Sequence, residues 1–104
     1  MVMTTPPLDQ KLHAIADPTR RRILAVLKQG RNGAVQSAIN APNAGFCGGD
    51  IEERVRLSQS TISHHMAILT KAGLVDVVKR GQWRWYQRNE KALRQLVKGL
   101  RAQL

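Results

Sequence analysis

The stretch Leu57-Ser-Gln-Ser-Thr-Ile-Ser-His-His-Met-Ala-Ile-Leu-Thr-Lys-Ala-Gly-Leu-Val75 decides how this chain is read. Ser58 suits a helix N-cap, because its hydroxyl accepts from an amide of the first turn. Gly73 suits the stop, where a left-handed backbone is favoured. The spacing predicts a helix over about 59–72. At about 100° per residue, Ile62, Met66 and Leu69 share one face. Ser60, His64 and Lys71 take the opposite face, flanked by Thr61, Ser63 and Ala67. That face holds small hydrogen-bonding side chains and no acid. A merely solvated face more often mixes Glu with Lys, whereas this one suits a close approach to phosphates and base edges.

Working outward, Asp50 starts a short helix over about 50–56, and Arg56-Leu57-Ser58 forms the turn between the two helices. Two strand-like runs follow, Leu74–Lys79 and Trp83–Arg88, with Arg80-Gly81 marking a hairpin. Trp83, Trp85 and Tyr86 lie along one strand, so adjacent members face opposite ways and at least one belongs to the core. Toward the N-terminus, Leu8, Leu12 and Ile15 predict a helix over about 8–16. Asp17-Pro18 then reads as an N-cap with proline at the first helical position. The next helix runs over about 18–29, with Ile23, Leu24, Val26 and Leu27 inward and Gly30 as its stop. A last helix, about 90–103, places Leu93, Leu96, Val97, Leu100 and Leu104 on one stripe.

The order is helix, helix, helix–turn–helix, hairpin, helix, within one domain spanning 1–104. The expected fold class is mainly α with a β-hairpin wing, a winged helix-turn-helix. In that arrangement the second helix of the pair enters the major groove. The hairpin tip, with Lys79, Arg80, Gln82 and Arg84, would lie against the backbone or the minor groove.

A net charge of +10 over 104 residues supports a polyanionic partner, and its placement supports it further. Residues 1–53 hold six Lys/Arg and five Asp/Glu (+1), and residues 54–104 hold eleven and two (+9). Nearly all the excess lies on the half with the polar-faced helix, and nucleic acid is the commonest such partner. The basic half has no strongly amphipathic helix with a bulky aromatic face, which argues against a membrane surface. No apolar run approaches the roughly 20 residues of a membrane span, and the N-terminus lacks the regions of a signal peptide. One cysteine, Cys47, allows no intrachain disulfide. The expected location is the reducing cytoplasm.

Residues 30–49 are rich in Gly, Ala and Asn and carry one charge. So long a connection inside a small domain is uncommon, and residues 30–47 are read as a long atypical loop. Val35 and Ile39 fit one face of a short helical turn.

Several motifs in order resemble the ArsR/SmtB-type bacterial winged-helix repressors. They are Ala16-Asp17-Pro18-Thr19-Arg20-Arg21-Arg22-Ile23-Leu24, Leu57-Ser58-Gln59-Ser60-Thr61-Ile62-Ser63-His64-His65-Met66, Leu69, Ala72-Gly73-Leu74-Val75, and Arg80-Gly81-Gln82-Trp83 through Tyr86. The resemblance covers nearly the whole chain except 30–46. It implies a homodimer held by the first and last helices, binding an inverted-repeat operator and released by a small inducer. It departs at the metal sites. Cys47 matches the first thiol of the family's two-cysteine motif, but Gly49 stands where the second would be. One thiolate does not make a soft-metal site. Residues 90–103 carry no His and no acid after Glu90, so the last-helix zinc site is also lacking. No metal or other cofactor is expected.

Gln59, Ser60, Thr61, Ser63 and His64 are thus the candidate base and phosphate contacts on the helix, with Lys79, Arg80, Gln82 and Arg84 on the wing. His64 and His65 are adjacent and point about 100° apart, so they do not chelate one metal together. His65, at the edge of the apolar stripe, reads as a packing and hydrogen-bonding residue, and His13 likewise. Of the run Arg20-Arg21-Arg22, part is solvated and part braces DNA or a dimer. Cys47, near a helix start, is either inert or a redox sensor. No paired carboxylates, phosphate-cradling Gly loop or nucleophile–base spacing points to an enzyme. The reading from another class is a winged-helix protein-interaction module whose basic face meets an acidic protein.

Overall fold

Asp17 separates the first two helices. Its Oδ1 accepts from the Thr19 amide at 2.7 Å and the Arg20 amide at 3.3 Å, which caps the second helix one residue before Pro18. In the computed structural model, which describes residues 7–32 and 46–104, α1 is Pro7–Ile15 and α2 is Pro18–Asn32. Then come β1 (Phe46–Cys47), α3 (Gly48–Val55), α4 (Gln59–Lys71), β2 (Val75–Arg80), β3 (Trp83–Arg88) and α5 (Glu90–Gln103). Helix α5 is capped in turn by Asn89, whose Oδ1 accepts from the Ala92 amide at 3.0 Å.

The winged helix-turn-helix expectation holds, with three corrections. Helix α2 runs through Gly30 to Asn32 rather than stopping there. A glycine inside a helix costs about 1 kcal/mol against alanine, too little to end one by itself. Helix α3 starts at Gly48, two residues before Asp50, which puts that acid in the first turn where the helix dipole favours it. Between them β1 pairs antiparallel with β3, Phe46 opposite Tyr86 and Cys47 opposite Trp85, giving a three-stranded sheet in the order β1-β3-β2. The expected loop is therefore bounded by helix and strand. Val35 and Ile39 lie outside the described residues.

The core joins every helix to the sheet. Ile23, Leu24, Val26 and Leu27 of α2 meet Ile51 and Val55 of α3 and Ile62, Met66 and Leu69 of α4, with Leu74, Val75, Tyr86 and Leu96. Burying each large apolar side chain stabilises by about 1.5–3 kcal/mol. Among the described side chains Tyr86 is the aromatic that joins the core, while Trp85, on the other face of its strand, is half-buried. Leu8, Leu12 and Ile15 of α1 and Leu93 and Leu100 of α5 are partly buried against this cluster. The α5 stripe then runs off the core, with Val97 58% exposed and Leu104 fully so. An open groove of about 470 Å³ follows this helix, lined by Leu93 and Val97 and by the cations Arg94, Lys98 and Arg101 among others.

Candidate nucleic-acid interface

Helix α4 is set at both ends by its own sequence. Ser58, in extended conformation, accepts from the Thr61 amide at 3.3 Å. Its hydroxyl also lies 2.9 Å from Thr61 Oγ1 and 3.2 Å from Ser60 Oγ, so the exposed start of the helix is a small hydroxyl cluster. Gly73 takes φ +81°, the Leu74 amide reaches back to Leu69 O and the Gly73 amide to Thr70 O. This double return closes the helix C-terminus and turns the chain straight into β2. The preceding turn needs one left-handed residue, and Arg56 supplies it at φ +58° although it is not glycine.

With Ile62, Met66 and Leu69 buried, the roll of α4 is determined. Gln59, Ser60, Ser63 and His64 are exposed and Thr61 is half-exposed. The first turn holds no acid, so the positive end of the helix dipole is left for an outside anion. All five candidate helix residues thus lie within the first two turns, on or beside the solvent face.

The wing turns through Gly81-Gln82, with Gly81 at φ +61°, the first-position glycine that two-residue hairpins favour. Lys79 pairs with Arg84 across the hairpin, and both are exposed. Like charges placed opposite one another destabilise a hairpin, and a polyanion against that face removes the repulsion. Gln82 is exposed at the tip, while the side chain of Arg80 lies outside the described residues. For Cys47 the backbone is placed, one residue before α3 and opposite Trp85. Its side chain too lies outside the described residues.

Two residues the sequence left unassigned or bland form a connection behind this surface. Arg20, one of three consecutive arginines, is 7% exposed, and its guanidinium spans the end of α1 and His65 of α4. His65 is half-buried beside exposed His64, and the two rings meet edge-on with centroids 5.4 Å apart. The sequence signal was the position of Arg20 three residues after the N-cap Asp17, which brings an arginine back over its own helix start. Among the described residues no group of three His, Cys, Asp or Glu side chains is arranged to hold a metal ion. None of the described helices is long and apolar enough to cross a membrane.

Fold and surface together define a winged helix-turn-helix DNA-binding protein. Residues 15–78 match the helix-turn-helix domain family model. The chain is similar to the transcriptional repressor SdpR of Bacillus subtilis, 36% identical over 84 residues that cover 81% of this chain and 78% of SdpR. It is also similar to the arsenical resistance operon repressor of Staphylococcus aureus, 31% identical over 98 residues covering 94% of this chain and 81% of that one. In structure it resembles the homodimeric winged helix-turn-helix DNA-binding domain of a possible ArsR-family regulator from Mycobacterium bovis. The TM-score is 0.66 at 18% identity, over 98% of this chain and 89% of that one, a likeness of fold. The chain belongs to the ArsR family of helix-turn-helix transcriptional regulators, which are not enzymes.

Proposed function

We propose that the protein is a homodimeric repressor that binds an inverted-repeat operator through α4 and the wing and lets go when an inducer binds. The observation that carries this is the acid-free, exposed face of α4, with the Lys79–Arg84 like-charge pair exposed on the wing. Gln59, Ser60, Thr61, Ser63 and His64 are the proposed groove contacts, and Lys79, Arg80, Gln82 and Arg84 the proposed backbone contacts. The partly exposed stripe of α5, which packs on α1, supports a twofold partner there. A twofold dimer matches two half-sites, and the Mycobacterium bovis relative in fold is a homodimer.

Footprinting on DNA upstream of its own coding sequence, with excess competitor DNA, tests this. A protected inverted repeat supports it. Binding without sequence preference favours the protein-interaction module instead. Cys47 is the proposed site if the inducer is an oxidant. A Cys47→Ser protein that still releases DNA on oxidation, as wild type does, would remove it from that role.

A further inference from the structure

Arg20 is the buried charged residue among those described, at 7% exposure. Its Nε donates to Ala14 O at 2.6 Å and its Nη2 to His13 O at 3.3 Å, two carbonyls of the last turn of α1, the second of which also accepts from the Ala16 amide. Its Nη1 lies 3.8 Å from Asp17 Oδ2 and 3.2 Å from His65 Nδ1. A guanidinium only donates, so Nδ1 must accept and the imidazole proton sits on Nε2. One planar group therefore joins the last turn of α1, the cap of α2 and the flank of α4. On α4 the next residue toward the N-terminus is His64, a proposed DNA contact.

We propose that Arg20 and His65 are positioning residues for operator binding: the guanidinium holds α4 in register with α1 through the imidazole, and a proton added at His65 Nδ1 releases that hold and weakens the DNA complex. This rests on α4 being the DNA-reading helix. A protonated Nδ1 would present N–H to N–H and cation to cation across 3.2 Å. Burial already disfavours the charged imidazole. Asp17 favours it, and Arg20 and, from its own helix, His64 disfavour it, with the net result a lowered pKa. The neutral, accepting form is therefore the one present at pH 7, and acidification is the perturbation that breaks the link. Because α1 is also a proposed dimer helix, the same link carries the alignment of the two reading helices.

The test compares wild type with His65→Asn, whose Oδ1 stands where Nδ1 stands, accepts the same bond and does not titrate. Binding is measured to a duplex of the region upstream of the coding sequence, between about pH 8 and pH 5.5, the range in which histidine charges. His13 and His64 are common to both proteins, so the difference between the two curves belongs to His65. Wild type is expected to lose a few-fold more affinity than His65→Asn by about pH 5.5, because about one pK unit of coupling gives its full tenfold only well below both pKa values and burial holds the His65 pKa below the ordinary histidine value. Arg20→Lys keeps the charge but not the planar fork, and should bind more weakly at pH 8 with the extra pH loss gone. Parallel curves for wild type and His65→Asn overturn the proposal. Should His65→Asn not fold, NMR of wild type decides. The α4 amides of Ser63 and His64 are expected to shift with the midpoint of the His65 imidazole, and amides that stay still overturn it. If wild type binds no such duplex at any pH, the repressor reading fails, while the amide titration still decides the link.

Discussion

Lys79 and Arg84 face one another on an exposed hairpin where an oppositely charged pair would hold it better. Arg84→Gln should therefore separate stability from binding. The hairpin is expected to keep or gain a few tenths of a kcal/mol, while the slope of log affinity against log salt becomes shallower by about one phosphate's worth. Titrating operator binding across salt, beside a thermal melt, reads both. On α4, Ser60→Ala with His64→Ala should cost on the order of 1–3 kcal/mol per lost base contact and relax the sequence preference, visible in competition with mutated half-sites. The outward face that holds these two was legible in the sequence, because helical spacing alone sorts polar from apolar positions. The Arg20–His65 contact was not legible, since it joins residues 45 apart whose approach depends on how α1, α2 and α4 pack. Its place three residues after Asp17 sets Arg20 apart from Arg21 and Arg22 in the sequence, but its reach to His65 arises only once the helices pack.

At the scale of elements, what was local was readable. Ser58 and Asp17 cap helices as their sequence contexts predict, and Gly73 stops α4 where a left-handed residue was expected. Ser58→Ala is expected to destabilise by about 1 kcal/mol. Gly73→Ala meets no atom within 4 Å, so its whole cost, about 1–2 kcal/mol, is backbone strain at positive φ. Denaturant melts of both proteins check these values, and a Gly73→Ala loss near zero would mean the turn adapts. What depended on distant partners was missed. Two residues, Phe46 and Cys47, are too few to announce a strand, and they become one only because β3 offers a free edge. The continuation of α2 past Gly30 likewise goes against local preference. Arg56 at positive φ carries no sequence signal, its geometry being set by the tight turn between two packed helices.

For the molecule as a whole, the dimer is the least local of the expectations and rests on α5. Replacing exposed Val97 by Glu should leave the fold intact, since the side chain is mostly in solvent, and shift the protein toward monomer in sedimentation. The flanks of that stripe add something further. Lys91, Arg94, Lys98 and Arg101 are all exposed on α5, and each chain brings a net charge of +10. Pairing two such chains brings like charges together, so added salt should tighten the dimer by screening their repulsion. The same salt must loosen the complex with DNA, whose affinity comes largely from released counterions. The two equilibria then respond to ionic strength with opposite sign, and dilute protein in low salt should be single in solution yet paired on an operator. The nucleic acid is in that case more than an address: it neutralises the two chains that read it, and is itself what lets them meet.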